Sequence, residues 1–277
     1  MMKPMNLASL VIVASAIALA TEARAETASS EDAGRYKIHI VTVGQGDDLF
    51  ARFGHIGAVV DDREHRTRKV YNFGTFDFSD PDLQIKYARG FLLYWVSVSS
   101  YRGFVQAYEH YNRDVVLRTL ALSDEEAAEV AHRLELNARP ENREYQYRHY
   151  LDNCCTRIRD LIDDVTGGAI SRDRKKGTTG RTFRDWTRRA LDGMPIYSAI
   201  ILYSLGPAID SAISRWDEEF LPEVLSEDLD DVILSNGRAL FENSRVVMKR
   251  NGPPVGATVD IVEIGVLGGI GLVLAFG

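Results

Sequence analysis

The chain has two cysteines, Cys154 and Cys155, and they are neighbours. A bridge between adjacent residues closes almost no loop, so a structural staple gains little from this pair. A chemical use is the better reading. Asp152-Asn153 reads as the cap of a helix that runs from Cys154 to Val165 and stops at Thr166-Gly167-Gly168. A cysteine in the first turn of a helix faces unpaired amide N–H groups and the positive end of the helix dipole, and both favour the thiolate. A thiolate nucleophile needs an imidazole that pairs with it and later gives up a proton. A third polar group that orients the imidazole helps further. His55 opens a strand-like run and Asn72 lies on the next one, so a helix-borne thiol, a strand-borne imidazole and an amide can converge. Asp77 is the alternative orienting group. His39, His65, His110 and His149 are competing imidazoles, with His149 only five residues before Cys154. No HExxH or Cys/His ligand spacing occurs, so no metal or other cofactor is expected.

The elements that must hold these groups follow from patterning. Strands are expected at Tyr36 to Val43, His55 to Val60, Arg68 to Phe73, Leu93 to Ser99 and Val115 to Leu122. The second and third are joined by a charged turn, as in a hairpin. Phe104, Ala107, Tyr108 and Tyr111 make the stripe of an amphipathic helix. Ser123-Asp124-Glu125-Glu126 is a capping box that opens a helix burying Ala127, Val130, Ala131 and Leu134. In the cysteine helix the inward stripe is Ile158, Leu161, Ile162 and Val165, which puts Cys154 on the inward face, nearer its centre than Cys155. Phe183 to Leu191 reads as a basic helix, Ile196 to Ile209 as a strongly apolar segment, and Trp216 to Leu225 as an acidic amphipathic one. Tyr71, Phe73, Phe76, Phe78, Tyr87, Phe91, Tyr94 and Trp95 form an aromatic belt of core or groove-lining residues.

Three ordered motifs carry a resemblance. They are Phe53-Gly54-His55, Tyr71-Asn72-Phe73-Gly74-Thr75-Phe76-Asp77-Phe78, and Asn153-Cys154-Cys155-Thr156-Arg157-Ile158-Arg159-Asp160. Over about Tyr36 to Leu225 the chain resembles the Lnb N-terminal periplasmic domain family, which has been linked to bacterial lipoprotein N-acylation. The resemblance implies an α+β fold of the permuted papain-like kind, like NlpC peptidases and lecithin-retinol acyltransferases, with added helices. It implies Cys154 as nucleophile and His55 as base; the residue reading leaves Asn72 or Asp77 to orient the imidazole. Cys155 stands where the family usually has a small residue. Arg157, Asn153, Tyr71 and Asp77 are the substrate contacts expected from the same motifs.

Lys3, the apolar run Leu7 to Ala20 and the Ala23-Arg24-Ala25 site are ordered as in a secretory signal peptide, residues 1–25. Residues 26–34 then read as a disordered leader, residues 35–250 as the catalytic domain, and residues 251–277 as an apolar tail. The last stretch, Ile264 to Gly277, holds five glycines and is short for a membrane span. A partial membrane anchor, a packed terminal hairpin and the start of a membrane region all remain open. The expected location is the periplasm, in contact with the membrane.

The net charge of −7 argues against a nucleic-acid partner. Arg172 to Arg189 nevertheless holds eight Lys/Arg against two Asp, which suits an anionic lipid surface. The first reading is an acyltransferase: a phospholipid acyl donor, a thioester on Cys154, and an amine acceptor such as a lipoprotein N-terminus or a peptide. Arg157 would hold a phosphate or carboxylate, or pair with an acid on the surface. A cell-wall peptidase or amidase on the same pair, and an inactive envelope binding module, are the alternatives.

Overall fold

Alternation decides the architecture. The computed structural model describes residues 34–76 and 92–256. A boundary at Arg35 separates two units, and the sheet and its helices belong to the one that begins at Tyr36. The expected signal segment, the leader up to residue 33, Asp77, Phe78, Tyr87, Phe91 and the tail from residue 257 lie outside the described residues.

In β1 (Tyr36–Val43), Ile38 and Ile40 point to one face of a sheet while Val41 and Val43 point to the other, and all four are buried. A strand apolar on both faces must be central and covered twice. It pairs antiparallel with β2 (His55–Asp62) on one side and with β5 (Val115–Leu120) on the other. β3 (Thr67–Thr75), β4 (Leu92–Ser100), β6 (Glu144–Tyr147) and β7 (Phe241–Met248) complete a sheet of order β6-β4-β3-β2-β1-β5-β7, antiparallel throughout among the described residues.

One face carries Ile38, Ile40, Ile56, Ala58, Tyr71 and Phe73 against α2 (Asp124–Asn137) and α3 (Cys154–Val165). The other carries Val41, Val43, Val59 and Val70 against α1 (Tyr101–His110), whose Phe104 is its buried residue. The molecule is therefore an α+β protein on an antiparallel sheet. α2 opens with the expected capping box, Ser123 and Glu126 each bonding the other's backbone N–H.

The remaining α-helices among the described residues are α4 (Ser171–Arg174), α5 (Phe183–Ala190), α6 (Pro195–Leu205), α7 (Arg215–Glu218) and α8 (Pro222–Asp230). The apolar segment Ile196 to Ile209 divides where Gly206 takes φ +60° and Pro207 follows it. The acidic segment Trp216 to Leu225 spans parts of two helices, with Pro222 opening the second. One expectation needs correction. The stripe expected for α1 is mostly outside the core: Ala107 is exposed and Tyr111 is 61% exposed.

Candidate active site

His55 is the first residue of β2, and the residue before it, Gly54, has φ +73°. That left-handed turn suits glycine and aims the start of the strand. His55 and Asn72 fall on the same face of neighbouring strands, and His55 Nε2 lies 2.7 Å from Asn72 Oδ1. The Gly74 amide N–H donates to the same oxygen at 2.9 Å. A backbone amide can only donate, so the Asn72 atom between them must be the carbonyl oxygen. Nε2 is then the protonated nitrogen of neutral His55, and Nδ1 is left to exchange a proton. Gly74 is also the floor of the ring. A Cβ there would stand 2.6 Å from His55 Cε1 and 3.2 Å from Nδ1. Tyr108 of α1 covers the ring from the other side, nearly parallel to it with centroids 6.2 Å apart.

The sulfur comes from α3. Asn153 caps this helix: its Oδ1 accepts from the Cys155 and Thr156 amides, and Thr156 Oγ1 accepts from the Asn153 amide. Cys155, Ile158 and Ile162 form the buried stripe, and Cys155 has no exposure. Cys154 is half-buried. The expectation that Cys154 sits nearer the stripe's centre is therefore reversed. At i+3 spacing Ile158 shares its face with Cys155, which turns Cys154 toward the end of β2.

A hydrogen bond from the Cys155 thiol holds the Cys154 thiol well below the usual cysteine range. The charge and hydrogen bond of His55 and the Ile56 amide act in the same direction, against the cost of burial. Burial and the adjacent sulfur push Cys155 well above that range. The two thiols are thus unlike: one is half-buried with its acidity raised, and the other is its buried donor. Both are free.

Arg113 and Tyr108 lie within electrostatic reach of the sulfur. Arg113 is 8% exposed, sits over the Tyr108 ring at 5.1 Å and donates from Nε to Gly44 O at 2.8 Å; its Nη2 is buried without a hydrogen-bond partner. Gly74, Tyr108, Arg113 and the Ile56 amide were not read as site groups in the sequence. For Gly74 a signal was present: a glycine inside a strand run beside a candidate histidine marks close approach of backbone and side chain.

The expected substrate contacts fare unevenly. Asn153 is 3% exposed, and its Nδ2 donates to His149 O and Phe220 O. With Oδ1 already doubly occupied, it is a structural cap and not a substrate contact. Tyr71 is a core residue, 3% exposed, whose hydroxyl donates to Glu135; it too is corrected. Arg157 makes a bidentate pair with Asp152 at 2.7 and 3.0 Å and lies over the Tyr145 ring. It lines a cleft of about 430 Å³ with Asp152, Arg148, Asp160, Leu151 and Phe73. A second cleft, about 590 Å³, is lined by Phe53 and Gly54, Leu221, Pro222, Arg118, Arg189, Pro254 and others. Cys154 and His55 line neither.

Of the aromatic belt, Phe76 and Tyr94 stack with Tyr147 in a series at 4.7 and 4.1 Å, while Tyr71 and Phe73 belong to the core. Among the competing imidazoles, His39 bonds Thr119 and Asp61, and His65 closes the β2–β3 turn on Asp62. Asp62, Glu64 and His65 place donor atoms within 4.8 Å of one another, but Asp62 is taken up by that turn. His149 lies against Phe53, Tyr150 and Phe220, where burial pushes it down to about 4.

The basic stretch is less available than its composition suggests. Arg174 pairs with buried Glu219, Arg184 with Asp210, and Lys175 sits over Trp216.

The site defines a class: a helix-borne cysteine beside a strand-borne, amide-oriented imidazole at the end of an antiparallel sheet. Residues 23–191 match the model of the Lnb N-terminal periplasmic domain. The chain belongs to that family and is a periplasmic Lnb-type protein. No curated protein and no solved structure matches it. Among the described residues no helix is long and apolar enough to cross a membrane.

Proposed function

We propose that this chain is a cysteine-dependent acyltransferase of permuted papain-like fold. The observation that carries the reading is the fixed His55 tautomer beside a stabilised thiolate: Nε2–H is spent on Asn72, so Nδ1 serves the sulfur. In the first step Cys154 Sγ attacks the carbonyl carbon of an acyl ester. The carbon–oxygen bond to the leaving alcohol breaks, and protonated His55 gives that oxygen its proton. The product is a thioester on Cys154 with neutral His55. An amine then attacks the thioester, His55 takes a proton from it, and the thiolate leaves. The Cys155 and Thr156 amides are held by the Asn153 cap, which leaves the Cys154 amide as the helix-start donor for the oxyanion.

A phospholipid donor and a lipoprotein amine acceptor fit the family's link to lipoprotein acylation and the exposed aromatic Phe50 near Phe76. The polar cleft around Arg157 and Asp152 favours a second reading, a peptidase or amidase acting on cell-wall peptide. Mass spectrometry of the protein after separate incubation with phospholipid and with cell-wall peptide tests both. A hydroxylamine-labile fatty acyl mass on the Cys154 peptide, absent from His55→Ala, is expected. Peptide cleavage without a lipid adduct would replace the transferase by the peptidase. No product from either, with both thiols free, would leave a binding module.

A further inference from the structure

Helix α6 has no charged residue and no buried one. Its outer side shows Ile200 at 59% and Tyr203 at 89% exposure, three positions apart and so on one face. An apolar helix left outside the core calls for a partner. Its length, roughly 16 Å at 1.5 Å per residue, is half of what a bilayer span requires, so it would lie in the plane of a membrane surface. A second copy of this chain is the poorer occupant. A face roughly 16 by 10 Å offers about 160 Å², far below the ~800 Å² per partner of a stable dimer.

A further feature points to lipid. The preceding stretch 181–189 holds four arginines and one aspartate. Arg181, Arg188 and Arg189 each pair with one carboxylate, Glu218, Asp185 and Glu223, yet keep 56%, 58% and 61% of their side chains exposed. The helix entrance is fixed by backbone packing. Gly193 and Gly256, both with φ near +80°, pack backbone to backbone: a Cβ on Gly193 would meet Gly256 O at 2.7 Å. Arg52 Nη1 donates to Asp192 O at 3.2 Å at the same place, three residues before His55. The start of α6 is thereby tied to the loop carrying the imidazole.

We infer that α6 is a membrane-docking element. It seats Ile200 and Tyr203 at the headgroup–acyl boundary of an anionic bilayer, and Arg181, Arg188 and Arg189 meet lipid phosphates. This goes beyond the acyl-transfer reading and holds whether or not Cys154 is reactive.

The test uses the full mature chain carrying Cys154→Ser, with vesicles of phosphatidylcholine alone or mixed equally with phosphatidylglycerol. Co-flotation is expected on the mixed vesicles. Ile200→Glu and Tyr203→Glu, at exposed sites that leave the fold intact, should each lower partitioning roughly tenfold, the loss of one buried side chain's transfer energy. Arg188→Ala with Arg189→Ala should weaken binding to the mixed vesicles and leave the neutral ones unaffected. Unchanged flotation of Ile200→Glu and Tyr203→Glu would overturn the assignment. So would absence of any vesicle binding, or a solution dimer that Tyr203→Glu dissociates.

Discussion

Gly74→Ala tests the geometry of the site without knowledge of the substrate. The added methyl would stand 2.6 Å from His55 Cε1 and 3.2 Å from Nδ1. Non-bonded carbons rest about 3.5–4.0 Å apart, so the ring must retreat by about 1 Å. Its partner Asn72 Oδ1, at 3.4 Å from the same methyl and held by the Gly74 amide, is not pushed, so a retreating ring leaves their bond. A misplacement of about 1 Å costs on the order of 10²-fold in a reaction that depends on alignment. The assay is the rate of iodoacetamide addition to Cys154, followed on its peptide by mass spectrometry across pH. The wild-type rate should persist at a pH well below the range of an unperturbed thiol. In Gly74→Ala it should fall at that pH by about tenfold or more, and the midpoint should move up. The move stops short of an ordinary thiol, because the leading cause of the depression, the Cys155 hydrogen bond, is retained. A folded variant whose profile overlays the wild type would refute the claim that Gly74 holds the imidazole.

Other outcomes rest on the same contacts. Cys154→Ala should abolish acyl-enzyme formation. Cys155→Ser should keep it, and Cys155→Ala should raise the pH midpoint of Cys154 alkylation by removing its thiol donor; equal loss in all three variants would show a redox pair instead. Asn72→Ala frees Nε2, so alkylation should slow at low pH while the melting temperature changes little, and an unchanged profile would remove Asn72 from the site. His149, pushed down to about 4 by burial, is neutral when folded but takes up a proton near pH 6.5 when unfolded. Its stabilising contribution is present above about 6.5 and is lost as pH falls through about 4. The loss is at most about 3 kcal/mol, less for the ring's remaining solvent contact. Denaturation of His149→Phe across that window should show a flatter slope, and an unchanged slope would assign the acid limb elsewhere.

The sequence was most readable where one physical rule acted alone. Tyr36–Val43 alternates, so its strand and both of its buried faces follow from period two. Cys154–Val165 has a cap, a stripe and a glycine stop, and its bounds match the structure. Reading failed where a contact between distant segments decides. β6 and β7 have no strong pattern of their own and exist as the two edges of the sheet. Tyr108 looked like a core residue because its place over His55 depends on where α1 docks. Asn153 and Tyr71 sat in the right motifs, but motifs do not tell a residue that touches substrate from one that holds the frame. Which cysteine lies on the buried stripe turned on a rotation of one residue around α3, and the apolar pattern alone misplaced it.

The chain order of the site has a consequence for the life of the sulfur. His55 and Asn72 come from one hairpin and can meet early, but Cys154 lies about a hundred residues further on. It reaches them only when α3 docks through Cys155, Ile158 and Ile162, a contact that forms after a long loop has been closed. Until then the thiol has the ordinary acidity of an unfolded cysteine, about 8.5, and reacts slowly with oxidants. Reactivity is acquired in the same step that brings the sulfur under cover. The acidity of Cys154 is thus a property of the docked helix, which neither the hairpin nor the helix has alone.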